Sequence, residues 1–204
     1  MIDEISKHVL ETKIKDLPFS VLRKAVKNPP TKEDFLNYIN ENNMAEKSRI
    51  DISHKDLYLF PILKDIRENL AKIYGNISTD YNSLMITKEY DVNKTWASLH
   101  DDISDVVHLN CYGTVEWLLA NPEEFGSGKS IETIGQKVIL EPGDVLYMRG
   151  RTLHETKPLS ERGSYIFMNL PYDGGQNAPK PEDLERQRKN FVEYVETGIL
   201  KEFK

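Results

Sequence analysis

The apolar positions change period once along the chain, near residue 84. Before that point they recur at helical spacing. Phe35, Leu36 and Ile39 form one stripe behind Thr31, a good N-cap with Asp34 three residues on, and the pattern stops near Asn42-Asn43. Leu59, Leu63, Ile66, Leu70 and Ile73 form a second stripe over 53–74, in which Pro61 starts or kinks the regular part and Gly75 caps it. Residues 1–30 carry little pattern: Ile14 to Val26 mixes apolar and basic residues and runs into the turn Asn28-Pro29-Pro30. The first third (1–82) therefore reads as mostly helical, packed on the outside of the remaining two thirds.

Beyond residue 84 the runs are short and β-branched or apolar. They are Leu84-Ile86, Trp96-Leu99, Val106-Cys111, Val115-Leu119, Lys137-Leu140, Val145-Met148 and Tyr165-Leu170. Gly113, Asn121-Pro122, Gly126-Ser127-Gly128, Pro142-Gly143 and Gly150 separate them. This many short strands with turns at this interval predict an antiparallel sandwich or jelly roll over 83–171. The tail, 172–204, opens with a Gly/Pro loop. It then reads as a helix from Glu182 to about Gly198, acidic in its first turn, with Leu184, Phe191, Val192 and Val195 on one face. The expected fold class is mainly β with flanking helices, one structural domain in all.

Composition narrows the function classes. At 204 residues, 39% hydrophobic and 29% charged, the chain is globular and long enough for a sizeable core. A net charge of −6 argues against nucleic acid as the main partner. The single cysteine, Cys111, excludes an intrachain disulfide and a thiolate metal cluster. No apolar run approaches the ~20 residues of a membrane helix, and Met1-Ile2-Asp3-Glu4 does not open a secretory signal. The expectation is a cytoplasmic protein with no membrane partner, and a homodimer is a candidate assembly.

The candidate chemistry sits in the strand region. His100 and Asp102 are two apart, so a strand projects both from one face. Leu140-Glu141-Pro142-Gly143-Asp144 and an apolar strand lead to His154. H-x-D alone is weak, and so is one His after a strand. Together in this context they make a two-His, one-carboxylate set, which holds one metal and leaves positions open for a co-substrate and O₂. Imidazole and carboxylate suit Fe(II), Mn(II) or Ni(II), and Zn(II) also binds such a site, so ligand type alone does not select iron.

Several motifs then resemble the JmjC-type, cupin-fold 2-oxoglutarate oxygenases, including bacterial ribosomal-protein oxygenases and asparaginyl hydroxylases. They are His100-Asp101-Asp102, Gly113, Trp117-Leu118-Leu119, Asn121-Pro122-Glu123-Glu124-Phe125, Glu141-Pro142-Gly143-Asp144-Val145-Leu146-Tyr147, His154-Glu155 and Asn169. The resemblance covers about residues 96–170. It implies a double-stranded β-helix and a reaction in which Fe(II), O₂ and 2-oxoglutarate hydroxylate a C–H bond, with succinate as co-product. On it, His100, Asp102 and His154 bind the metal, and Asn110 and Asn169 lie near metal and co-substrate.

One position departs from that family. A Lys or Arg two residues after the glycine commonly pairs the far carboxylate of 2-oxoglutarate, and here it is Val115. A dicarboxylate in a desolvated pocket needs a cation. Arg162, with Ser164, is the best substitute, eight residues after His154 in an Arg-x-Ser pair like that of other 2-oxoglutarate oxygenases. A solvated loop is its bland alternative, since Pro158 to Glu161 reads as a turn. Arg149 and Arg151 are rivals and further pocket candidates, and His108 shares parity with Asn110 and is either pocket lining or a satisfied core histidine. Trp117 reads as core, Tyr147 as structural and Cys111 as inert core.

Two function classes remain. The first is an Fe(II)/2-oxoglutarate hydroxylase acting on a peptide or protein side chain, an amino acid or a small natural-product intermediate. The second is a metal-binding cupin that does not use 2-oxoglutarate: another dioxygenase, an isomerase or a small-molecule-binding module.

Overall fold

The computed structural model describes residues 4–41, 49–51, 61–74, 82–87, 92–94, 97–102, 104–121 and 130–169, with positions 124, 189, 193 and 197. The helix expected over 182–198 lies outside the described residues, apart from three positions in it. Among the described residues ten strands form two antiparallel sheets that face one another. The first has the order β1 (Phe19–Leu22), β8 (Val145–Met148), β5 (Asp105–Tyr112), β10 (Arg162–Asn169), β3 (Asn82–Thr87), β2 (Arg49–Asp51). The second has the order β4 (Ala97–Asp101), β9 (Leu153–Pro158), β6 (Val115–Ala120), β7 (Gln136–Leu140). Among the described residues the helices α1 (Glu4–Ile14), α2 (Lys32–Glu41), α3 (Pro61–Tyr74) and the single turn α4 (Ile131–Ile134) flank them.

The helices form where the apolar pattern and its punctuation ask for them. α2 starts on a reciprocal cap: Asp34 N–H donates to Thr31 Oγ1 (3.2 Å), and Thr31 N–H donates to Asp34 Oδ2 (2.7 Å). Phe35 and Ile39 are buried from its stripe, whereas Leu36 is exposed and Tyr38 takes its place. α3 begins at Pro61, where a missing N–H costs nothing, and buries Leu63, Ile66 and Leu70. α1 was not legible because its apolar and polar residues are poorly segregated, yet Ile5, Val9 and Leu10 are buried.

Two strands also lie in the first third, which was expected to be mostly helical. β1 is half-buried along its whole length and has no alternation to read, but it pairs with β8 at the edge of the first sheet. β2 is three residues long and pairs with β3. The helical third therefore also supplies strands to the first sheet rather than only covering it.

Because β5, β8 and β10 are covered on both faces, their two parities do different work. Val107, Leu109, Cys111, Val145, Tyr147, Tyr165 and Phe167 pack outward in one core with α1, α2 and α3. Val106, Leu146 and Met148 face inward in a second core with Val115, Trp117, Leu119, Val138 and Leu140 of the opposite sheet. Burial pushes the Cys111 thiol pKa upward, which agrees with an inert core role. His108 and Asn110 share the inward parity of Val106, and Arg162 and Ser164 share that of the inward-facing Ile166. The polar interior of the barrel is made by these positions.

Candidate metal centre

The structure brings His100, Asp102 and His154 together. One ligand atom from each lies within 4.8 Å of the others. His100 on β4 and His154 on β9 are register partners, with ring centroids 4.1 Å apart. Asp102 follows the end of β4, and its Oδ2 is 3.5 Å from His154 Nε2. β4 carries an irregularity between Ala97 and His100, a device that re-aims side chains next to sites. His154 is buried, Asp102 half-buried and His100 exposed, so the site opens at one mouth of the barrel.

Both imidazoles are oriented from behind. His100 Nδ1 donates to Ser98 O (2.7 Å) and His154 Nδ1 to Thr152 O (2.9 Å). A carbonyl only accepts, so each Nδ1 holds the proton and each Nε2 keeps its lone pair. Burial lowers the His154 pKa, which also favours the neutral ligand form. This donor set and these tautomers fit a divalent first-row metal ion.

The turn that delivers His154 is fastened to three other segments. Arg151 N–H donates to Asp102 O (2.6 Å), tying the two ligand-bearing segments by backbone. Gly150 N–H donates to Asp105 Oδ1 (3.0 Å), while Tyr147 OH donates to Asp105 Oδ2 (3.0 Å) and Lys13 of α1 pairs with the same carboxylate. Burial opposes ionisation of Asp105, but Lys13 and the two hydrogen bonds outweigh it and hold the carboxyl below its ordinary range. Arg149 N–H and Thr152 Oγ1 both donate to Pro18 O at 2.8 Å. Tyr147 is thus structural, as its place in the sequence suggested.

The other candidate residues divide by depth. Arg149 pairs with Asp16 (2.6 Å) and Arg151 with Asp101 (3.2 Å), both outside the barrel. Arg162, by contrast, is 1% exposed at the start of β10, and its Nη1 donates to Ser164 Oγ (3.3 Å). The reading of Arg162 as a solvated loop residue is therefore excluded. Burial pulls its pKa to about 10, so it remains cationic at neutral pH. Asn110 is fully buried beside Ser164 in register, and its Nδ2 donates to Gly113 O (2.7 Å). Asn169 pairs by backbone with Asp105, and its side chain lies outside the described residues. Val115 is fully buried between Leu140 and Pro158 in register.

His108 is 0% exposed, and its ring meets Trp117 edge-on at 5.0 Å. Burial first, then the charge of Arg162 and of His154, holds its pKa well below the ordinary histidine value. Trp117 stands between His108 and His154, 5.6 Å from the latter ring. It was expected as core; it is buried, and it also walls the site. Thr156, the register partner of Trp117, was not singled out in the sequence. The available signal was His154-Glu155-Thr156, which on a strand puts Thr156 on the same face as the metal ligand.

No protein-family model matches the chain, and no curated protein does. Solved structures do. The ribosomal oxygenase YcfD from Escherichia coli superposes with a TM-score of 0.53 at 17% identity, covering 91% of this chain and 54% of that one. A structure of the same oxygenase in complex with cobalt and 2-oxoglutarate gives a TM-score of 0.50 at 15% identity, over 92% of this chain and 56% of that one. This chain thus spans about half the length of the oxygenase it matches. No helix among the described residues is long and apolar enough to cross a membrane. Two facing antiparallel sheets, flanking helices and these superpositions agree on one architecture: the jelly-roll, double-stranded β-helix fold of the cupin and JmjC type.

Proposed function

We propose that the protein is an Fe(II)/2-oxoglutarate-dependent oxygenase that hydroxylates a C–H bond of a peptide or protein side chain, an amino acid or a small natural-product intermediate. The observation that carries this reading is the pairing of the triad at the barrel mouth with a buried guanidinium, Arg162, inside the same barrel. His100, Asp102 and His154 would hold the Fe(II), which would supply the redox chemistry between an oxo-acid and O₂. The chain's own residues bind and orient. Ser98 and Thr152 carbonyls fix the imidazoles. Arg162 and Ser164 hold the far carboxylate of 2-oxoglutarate, the role that Val115 is unable to fill. The apolar wall of Trp117, Leu119, Val138 and Leu146 keeps bulk water out, so each charge-assisted hydrogen bond counts for more there. The likeness to YcfD supports the fold of this proposal. The ribosomal substrate of that protein is not carried over to a chain half its length.

Succinate formation tests the proposal. With Fe(II) and O₂, the protein is expected to turn 2-oxoglutarate into succinate, and Arg162→Ala is expected to raise the 2-oxoglutarate requirement about tenfold or more, the loss of a charge-assisted pair. No succinate from the intact protein with any supplied peptide or amino acid, together with no 2-oxoglutarate binding, would move it to the metal-binding cupins that lack this co-substrate.

A further inference from the structure

Resting on that reading, one residue of the barrel interior still lacks a structural reason. His108 is fully buried, and neither ring nitrogen has a hydrogen-bond partner among the described residues. A neutral imidazole carries one donor and one acceptor, and protein interiors avoid leaving both unmet. A leucine would fill the same volume without that cost. Trp117 Nε1, a donor only, and Thr156 Oγ1 are likewise without partners among the described residues. These side chains come from β5, β6 and β9, and all three stand at buried positions of the two facing sheets. Trp117 and Thr156 are register partners, and the indole meets the His108 ring.

Through these neighbours His108 stands between His154 and the Ser164 end of β10. The indole of Trp117 separates His108 from His154 on the mouth side. On the deep side His108 lies one inward position along β5 from Asn110, whose register partner is Ser164. The charge of Arg162 is felt at the His108 ring. The groups at these inward positions are a guanidinium, an indole N–H, an imidazole N–H and two hydroxyls, against one amide acceptor, Asn110 Oδ1, so donors dominate around one cation. The buried carboxylates among the described residues, Asp105 and Asp144, are engaged elsewhere, by Lys13 and Arg23. Such a set is complementary to the oxygens of a carboxylate.

We infer that His108 is a co-substrate-binding residue whose ring N–H donates to the far carboxylate of 2-oxoglutarate beside Arg162 and Ser164. A carboxylate offers about four acceptor sites, more than a guanidinium and one hydroxyl fill. The neutral ring adds a donor without adding a second charge to a desolvated pocket. His108 and Arg162 together then replace the cation that Val115 displaces.

The test is calorimetric titration of the Mn(II)-loaded protein with 2-oxoglutarate and with 2-oxobutyrate, which keeps the chelating end and lacks the far carboxylate. His108→Leu is expected to weaken 2-oxoglutarate binding about ten- to hundredfold, the loss of a hydrogen bond to a charged group. It should leave 2-oxobutyrate and Mn(II) binding unchanged and ligand-free thermal stability equal or higher. His108→Gln, which keeps a donor, should recover most of the affinity. An unchanged 2-oxoglutarate affinity, an equal loss for both acids, or a His108→Leu protein that is less stable or fails to fold would overturn the role of His108 and leave the oxygenase proposal standing. An intact protein that binds neither acid would overturn both.

Discussion

Asp102 follows the end of β4, and its carbonyl accepts from Arg151 N–H in the turn before His154. Asp102 is the ligand whose removal is cleanest. Asp102→Ala takes away one of only three protein donors and buries no new group, since the side chain is half-buried. The expected outcome is a loss of about tenfold or more in Fe(II) affinity and of all turnover, with unfolding stability changed by less than about 0.5 kcal/mol in the metal-free protein. Retained turnover would remove Asp102 from the site. At this scale the triad was legible because a two-residue spacing fixes a shared face wherever the segment is extended, as it is along β4. The burial of Arg162 was not, because arginine is nearly always solvated and only the closing of β10 against β3 and β5 puts it inside. His108 was left between pocket and core for the same reason: parity gave its face, but its missing partners needed the opposite sheet.

Elements matter here chiefly through how they present those residues. β9 carries His154 and was not among the expected strands. Its alternation is regular, yet the inward positions are His154, Thr156 and Pro158 rather than aliphatic, so hydrophobic periodicity had nothing to count. β1 escaped notice for a different reason: it is a short edge strand with no buried face of its own. The helices with clean stripes and caps, α2 and α3, were read to within a few residues where they are described. Asp105 is the point where a helix, two strands and the 149–152 turn meet. Asp105→Ala would strand Lys13 and the Gly150 amide. The expected cost is about 2–3 kcal/mol, below the range for a fully buried pair because Lys13 is 22% exposed. Chemical denaturation measures it, and a cost under about 0.5 kcal/mol would contradict the clamp. Metal affinity should fall with it, since the turn delivers His154.

The whole molecule divides its two cores by function. The outer core, between the first sheet and the helices, is apolar, whereas the inner one is apolar near one side and polar around His108, Asn110, Arg162 and Ser164. Buried neutral histidines give this arrangement a pH signature. The pKa values of His8, His108 and His154 are all lowered, chiefly by burial. The unfolded chain then binds protons that the folded chain refuses, so stability falls as pH drops below the unfolded histidine value of about 6.5. Thermal midpoints of the metal-free protein should be flat from about pH 7 to 8 and fall toward pH 5, and His108→Leu should reduce that slope. Midpoints that rise on acidification over this range would contradict the buried neutral state.

Anaerobic titration of the Fe(II)-loaded protein with 2-oxoglutarate tests whether the oxo-acid binds at an iron held by His100, Asp102 and His154. A weak visible charge-transfer band that appears and saturates, in the intact protein and not in Asp102→Ala, is the predicted result, because it requires the oxo-acid to chelate iron held by the triad. Iron that binds with no band at saturating 2-oxoglutarate would contradict the proposal and leave a metal-binding jelly roll with a different co-substrate or none.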